Sequence, residues 1–196
     1  MSFSANFRHR FSDQLLAPVR EQIIELCADS SIILDIGCGT GDLLVRASHK
    51  VNKGVGIDSN HRMIHFANQR KARKDIKNIE YLCGNIFDID IPALGYDICT
   101  CTLFLHSLKR DEAIALLCKL KNCVQRLIIC DYKQPNTVSG KLGVEIDELI
   151  SGHYRRFKEY QRLGFFYSLI SESGLQLLEE QHTAVDGLSI YVLEKL

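Results

Sequence analysis

Apolar and polar positions change their rhythm repeatedly along this chain, and each change predicts an element. In residues 12–27, Leu15, Leu16, Val19, Ile23 and Leu26 recur at helical spacing, with Ser12 placed to cap the helix. The run 32–36, IILDI, is apolar but for one acid, the mark of a short strand covered on both faces. Residues 41–48 read as helix, KGVGIDSN as a second strand ending near Asp58, and 60–73 as a helix with Met63, Ile64, Phe66 and Ala67 on one side. A third strand is predicted at 79–83, a fourth in YDICTCTLFLH, a helix in DEAIALLCKL and a fifth strand in VQRLIICDY.

Strands alternating with helices argue for βαβ units and a parallel sheet with helices on both faces. The end departs from this rhythm. A helix at 165–173 is followed by strands at 175–181 and 188–193, with only a short turn at Asp186 and Gly187 between them. So short a link cannot make a parallel crossover, so these two strands are expected to run antiparallel. The fold class is α/β: Rossmann-like and doubly wound, with a mostly parallel seven-stranded sheet and an antiparallel C-terminal strand.

Composition narrows this picture only slightly. A chain of 196 residues fits one domain over 1–196, since a domain typically takes ~150 residues. Lys and Arg number 24 and so do Asp and Glu, so no net charge marks a nucleic-acid or membrane-surface binder. No run approaches the ~20 apolar residues of a bilayer span, and the N-terminus lacks the apolar core and cleavage site of a secretory signal. Eight cysteines then read as reduced, buried thiols of a cytoplasmic protein. Neither Cys99 with Cys101 nor Cys118 with Cys123 has the spacing of a zinc or redox site, and no metal site is expected.

The chemistry concentrates in IILDIGCGTGDLL. A tight turn at the carboxyl end of the first strand is the usual ligand crevice of such sheets, and glycine there allows positive φ and close approach of a ligand. The dinucleotide fingerprint G-x-G-x-x-G puts its third glycine where this chain has Asp42, so the pattern is G-x-G-x-G instead. A carboxylate at the head of the next helix also repels a pyrophosphate, which disfavours a nicotinamide cofactor. Asp35, buried in a strand, needs either the N–H groups of the turn or a cationic ligand. Asp58 closes the second strand where a carboxylate typically takes ribose hydroxyls. The implied ligand carries a ribose, a positive charge and no pyrophosphate.

LDIGCGTGDLL followed by GVGIDSNHRMI resembles the class I S-adenosylmethionine-dependent methyltransferases. The likeness runs from Ile32 to Asp131 by motif and continues by element order. It implies S-adenosylmethionine as cofactor and S-adenosylhomocysteine as product. Gly37, Cys38 and Gly39 would pack on the methionine part, Asp35 would meet the ammonium end, and Asp58 would hold the ribose hydroxyls. Ser59 and Met63 would lie beside the adenosine, although Met63 equally suits a core contact. Where the family usually has Asp, this chain has Asn85; its carbonyl can accept from the adenine amino group, with Ile86 adding its backbone N–H. A turn-forming Asn is the plain alternative.

In the same family comparison, CTCTLFLHSL is similar to the segment after strand four that lies near the transferred methyl, which brings in Cys101, Thr102 and His106. His106 fits two roles, as a base for a hydroxyl or as a cap on the next helix. Tyr132 and Asp131 stand at the edge where substrates enter. The arm 1–30 is expected to fold over the cofactor, with Arg8 or Arg10 meeting its carboxylate. Residues 133–163 are expected to cover the substrate, and within them HYRRFKEY mixes rings with Arg155, Arg156 and Lys158. That suits either an anionic or aromatic substrate or an ordinary amphipathic helix.

The expected activity is methyl transfer to a small molecule by in-line displacement, with oxygen or nitrogen favoured over carbon as acceptor. Two other functions stay open: a non-catalytic cofactor-binding module, and an RNA or protein methyltransferase. The zero net charge weighs against the RNA reading, and nucleic acid is not an expected partner.

Overall fold

The computed structural model describes residues 13–92 and 95–195. Seven strands form one sheet: β1 Ile32–Ile36, β2 Lys53–Asp58, β3 Ile79–Cys83, β4 Tyr96–Thr102, β5 Val124–Tyr132, β6 Leu175–His182 and β7 Leu188–Lys195. Their order is β3-β2-β1-β4-β5-β7-β6. The pairs among β1 to β5 are parallel, while β7 is inserted antiparallel between β5 and β6. The expected antiparallel hairpin is present, and its second strand is the one that joins the sheet.

The central strands are apolar because both of their faces are covered. Ile33, Leu34 and Ile36 of β1, and Leu127 to Cys130 of β5, are all buried. Helices surround the sheet, and those bounded within the described residues are α1 Ala17–Glu25, α2 Asp42–Ala47, α3 His61–Arg73, α4 Arg110–Leu120, α5 Val138–Ser151, α6 Tyr154–Arg162 and α7 Tyr167–Ser173. A 3₁₀ turn, Leu105–Ser107, links β4 to α4. Asn60, read from pattern as the first residue of this helix, instead caps α3 by accepting from the Arg62 N–H.

In place of one continuous helix over 12–27, the described residues show helix at 13–15, a turn at Leu16 and then α1, with Pro18 in its first turn, where the missing N–H costs nothing. Ser12, Arg8 and Arg10 lie outside the described residues. The segment expected to cover the substrate is itself helical, as α5 and α6 joined through Gly152 at φ +85°. Asp186 does more than turn the hairpin. Its carboxylate accepts from the Thr137 hydroxyl at 2.6 Å and from the Asn136 and Thr137 N–H groups at 2.9 Å, which holds the start of α5. Those donors, Thr137's hydroxyl foremost, pull its carboxyl down to about 2. Along α5, Val138, Leu142, Ile146, Leu149 and Ile150 are exposed. Among the described residues no helix is long and apolar enough to cross a membrane.

Candidate active site

The strand order reverses at β1, where one crossover runs outward to β2 and the other to β4. A crevice of about 160 Å³ opens at this switch point, lined by Asp35, Gly37, Cys38 and Gly39 with Met63 and Thr102 opposite. The loop that builds it is fixed by backbone bonds. The N–H groups of Gly37 and Cys38 donate to the Ile57 carbonyl at 2.8 and 3.1 Å. The Gly39 N–H donates to Asp58 Oδ2 at 2.9 Å, and Asp58 Oδ1 accepts from Asn60 N–H at 2.8 Å.

Two of the glycines serve different ends. Gly39 has φ +52°, and an added Cβ would meet nothing closer than 4.0 Å, so it borders open space. Gly41 has φ +70°, and an added Cβ would lie 2.4 Å from the Tyr81 hydroxyl and 2.8 Å from Ala67 Cβ. It lets α2 approach β3 and α3, with the Tyr81 hydroxyl donating to the Gly41 carbonyl. The third glycine is therefore a packing device.

Asp35 lies beneath the loop with 3% of its surface exposed. Thr100, its partner in β4, donates a hydroxyl hydrogen bond of 2.8 Å. Burial raises the carboxyl's pKa to about 7, although the Thr100 bond and the Arg20 charge pull the other way; Asp58 adds to the rise. A cation placed in the crevice would remove this penalty.

One wall of the crevice is an ionic network. Arg20 Nη1 contacts Asp13 at 2.9 Å and Asp42 at 2.8 Å, Arg70 contacts the same two acids, and Arg46 reaches Asp42 at 2.7 Å. Burial pushes Asp42 up, but the Arg46 hydrogen bond and the Arg20 and Arg70 charges leave it net below the usual carboxylate range. The expectation that Asp42 repels a pyrophosphate is thereby corrected, since three guanidinium groups neutralise it. What remains against a dinucleotide is the glycine spacing.

Beyond Thr102 the edge of the sheet is closed by a polar cluster. His106 Nδ1 donates to Asp131 Oδ1 at 2.7 Å, while His106 Nε2 lies 3.3 Å from Glu148 Oε1. The Tyr132 hydroxyl donates to the same Glu148 oxygen at 3.0 Å. Burial lowers the His106 pKa, but the two carboxylates more than reverse this and favour the imidazolium. The rings of Tyr132 and Phe157 meet edge to face, and Tyr160 lies beside His106.

With this geometry in place, comparison with known proteins decides the family. A family model described as a methyltransferase domain matches residues 28–165. The chain belongs to the methyltransferase-domain family. It is similar to the demethylmenaquinone methyltransferase of Lactococcus lactis subsp. lactis (strain IL1403), at 34% identity over 71 residues, covering 35% of this chain and 28% of that protein. It is also similar to the ubiquinone/menaquinone biosynthesis C-methyltransferase of Shewanella piezotolerans (strain WP3 / JCM 13877), at 28% identity over 108 residues, covering 53% and 43%. The matches thus span less than half the length of these curated relatives. A S-adenosylmethionine-dependent methyltransferase from Aquifex aeolicus shares the fold, with a TM-score of 0.68, 18% identity and 92% of each chain covered.

The cofactor of this methyltransferase family is S-adenosylmethionine, and the residues present fit it. The loop leaves open space beside Gly39, and the buried Thr102 hydroxyl at the crevice wall has no partner among the described residues. Asp35 and Asp58 supply two carboxylates, one on the floor and one at the end of β2.

The structure brings Asp35, Gly37, Cys38, Gly39, Met63 and Thr102 together at the crevice. Asp58 is tied to it through Gly39, and Ser59 follows on the exposed side. The loop after β3 is joined to β2 by the Gly84 N–H and the Asp58 carbonyl. In that loop Asn85 Oδ1 accepts from the Phe87 N–H, a turn contact that leaves a second lone pair for another donor. Ile86 packs its side chain in the core.

Cys101 is not brought to the crevice; it is fully buried in the core, on the strand face opposite Thr100 and Thr102. His106 and Tyr132 are also buried away from the crevice lining, and both His106 ring nitrogens face carboxylates. Burial raises the Cys38 thiol well above its ordinary value, so its place is one of contact rather than nucleophilic attack. In α6, Phe157 and Tyr160 are buried, while Lys158 pairs with Glu145 and Arg156 with Glu159, the amphipathic arrangement.

Sequence reasoning missed Asp13, Leu16, Arg20 and Thr40 in the crevice wall. Thr40 belongs to the glycine loop itself, whereas Asp13, Leu16 and Arg20 carry no local mark because they reach the crevice only by tertiary packing of the N-terminal helical region. Glu148, in α5, is likewise marked by no local pattern.

Proposed function

We propose that this chain transfers the methyl group of S-adenosylmethionine to a small-molecule acceptor, with oxygen or nitrogen favoured. The observation that carries the reading is Asp35: a carboxylate on the floor of an open crevice, with Thr100 as its hydrogen-bond donor and, among the described residues, no side-chain cation in hydrogen-bond contact. Asp35 would hold the ligand's ammonium group, and Arg20 would face its carboxylate. Asp58 uses its oxygens on two N–H groups and keeps lone pairs for ribose hydroxyls. Gly37, Cys38 and Gly39 would line the methionine part, Ser59 and Met63 the adenosine, and Asn85 and Ile86 the adenine.

When bound, the sulfonium supplies an activated methyl group with a good leaving group. The chain's share is then alignment and exclusion of water, and α5 and α6 cover the edge of the sheet where that exclusion is needed. His106 and Tyr132 would position the acceptor side, since the imidazole is already engaged on both nitrogens. The Shewanella relative is named a C-methyltransferase, which makes carbon the alternative acceptor.

A second reading, a cofactor-binding module without catalysis, is favoured by the packing of His106, Tyr132, Phe157 and Tyr160, which fills the acceptor side. Incubation with labelled S-adenosylmethionine and a metabolite extract separates the two. A labelled small product supports methyl transfer, and binding without any product supports the module. Failure to bind in calorimetry defeats both.

A further inference from the structure

Three residues distant in sequence meet beside α5. His106 on the 3₁₀ turn, Glu148 on α5 and His153 ahead of α6 each offer one ligand atom, and these atoms lie within 4.8 Å of one another. His106 Nε2 and Glu148 Oε1 are 3.3 Å apart. Two donors bound at ~2.0–2.1 Å in a tetrahedral shell are separated by about 3.4 Å, so this pair already has the spacing an ion requires. His153 is exposed and can close the remaining gap by turning its side chain.

The surroundings orient this ligand set, and an ion would displace the proton that His106 Nε2 directs at Glu148. The second nitrogen of His106 donates to the fully buried carboxylate of Asp131 at 2.7 Å, which fixes the ring and directs Nε2 toward Glu148. Carboxylate support of this kind orients metal-ligating histidines and raises their basicity. Asp131 Oδ1 is held in turn by the Tyr132 N–H at 2.8 Å. The Tyr132 hydroxyl steadies Glu148 Oε1 at 3.0 Å.

We propose that His106, Glu148 and His153 form a binding site for a first-row divalent transition metal, with zinc as the type ion. Two imidazoles and a carboxylate suit zinc, cobalt or nickel, whereas calcium and magnesium prefer oxygen-only shells. Three protein ligands leave a fourth position open, to water or to the oxygen or thiol of a small molecule. The ion would also tie the α5–α6 junction at Gly152 to the turn after β4. The assignment stands apart from the methyl-transfer reading; only the idea that the open position takes a methyl acceptor rests on it.

The test uses the full-length chain, stripped with a chelator and titrated with Zn²⁺ and with Co²⁺ in the absence of any methyl donor or acceptor. One ion per chain is expected, together with a visible Co²⁺ spectrum of four-coordinate type. His153 is exposed, so H153A should fold as the parent does and lose affinity by at least about tenfold. C83S, which removes the exposed thiol, should bind as the wild type does. Lack of stoichiometric binding, unchanged affinity in H153A, loss of binding in C83S, or a preference for Ca²⁺ or Mg²⁺ would each overturn the proposal. Since the readout is metal content, its failure leaves methyl transfer untouched.

Discussion

Replacing Asp35 with Asn isolates the charge that the crevice is built around. Burial lifts this carboxyl from an ordinary 3.8 to about 7 in the folded chain. At about 1.4 kcal/mol for each pH unit between the two values, ionised Asp35 destabilises the unliganded fold by about 4 kcal/mol above pH 7. The sign follows from the raised value. The folded state holds the proton more tightly than the unfolded one. Stability is therefore fully present below pH 3.8, declines as pH rises through about 7, and is level beyond. Asn keeps an oxygen to accept from Thr100 but adds a buried amide N–H group whose missing partner costs about 1–3 kcal/mol. The D35N chain is thus expected to be about 1–3 kcal/mol more stable than the parent near pH 8, and no more stable near pH 4. Urea unfolding of the ligand-free proteins at both pH values measures this. The same substitution should weaken S-adenosylmethionine binding by at least about tenfold, through loss of a charged hydrogen bond. A D35N advantage that does not depend on pH, or cofactor affinity equal to the parent's, would refute the reasoning.

Gly41→Ala forces a Cβ to 2.4 Å from the Tyr81 hydroxyl at a φ of +70°, and thermal unfolding should show a loss of at least about 2 kcal/mol. An unchanged melting temperature would count against the packing role. Asp58→Ala removes the acceptor of the Gly39 and Asn60 N–H groups, and calorimetry should register a loss of about 1–3 kcal/mol in cofactor binding. Asp42 is held below the usual carboxylate range, so its contribution is present above pH 3.8 and lost as pH falls; Asp42→Asn should flatten the acid side of the stability profile. If the profiles of D42N and the parent run parallel there, the arginine cage does not act as described.

Most of the sheet was legible because its strands are buried on both faces. IILDI and VQRLIICDY cannot be amphipathic helices of useful length, and the bounds of β1, β3 and β5 agree with those read from pattern. Boundaries set by single residues were less legible. A turn at Leu16 breaks the first helix, and Gly152 divides 138–162 into two helices where pattern alone showed a covering segment. The crevice floor could be read because its parts lie in two short stretches, each closed by backbone bonds. Its ionic wall could not, because Asp13, Arg20, Asp42 and Arg70 meet through the packing of three helices. The repulsion assigned to Asp42 shows the consequence: a charge read from sequence carries no information about the cations that fold beside it.

That contrast explains why the cofactor class was readable when the acceptor was not. A loop that grips through backbone N–H groups leaves glycines and acids at fixed spacing, so its ligand is written locally. The proposed acceptor side would be assembled from His106, Asp131, Tyr132, Glu148 and Tyr160, which lie on different elements and find one another only after α5 and α6 dock. These contacts also set a condition on catalysis. His106, Tyr132 and Glu148 are each less than 5% exposed, so an acceptor reaches this edge of the sheet only by replacing bonds among them. The bonds best placed to yield are those of Glu148, because it is carried on α5, whose outer face is exposed and whose far end turns at Gly152. The Asp131–His106 pair joins β5 to the turn after β4 and is buried against the sheet. On the methyl-transfer proposal, substrate selectivity would then reside in how α5 meets that buried pair, a property of packing between elements to which no single stretch of sequence corresponds.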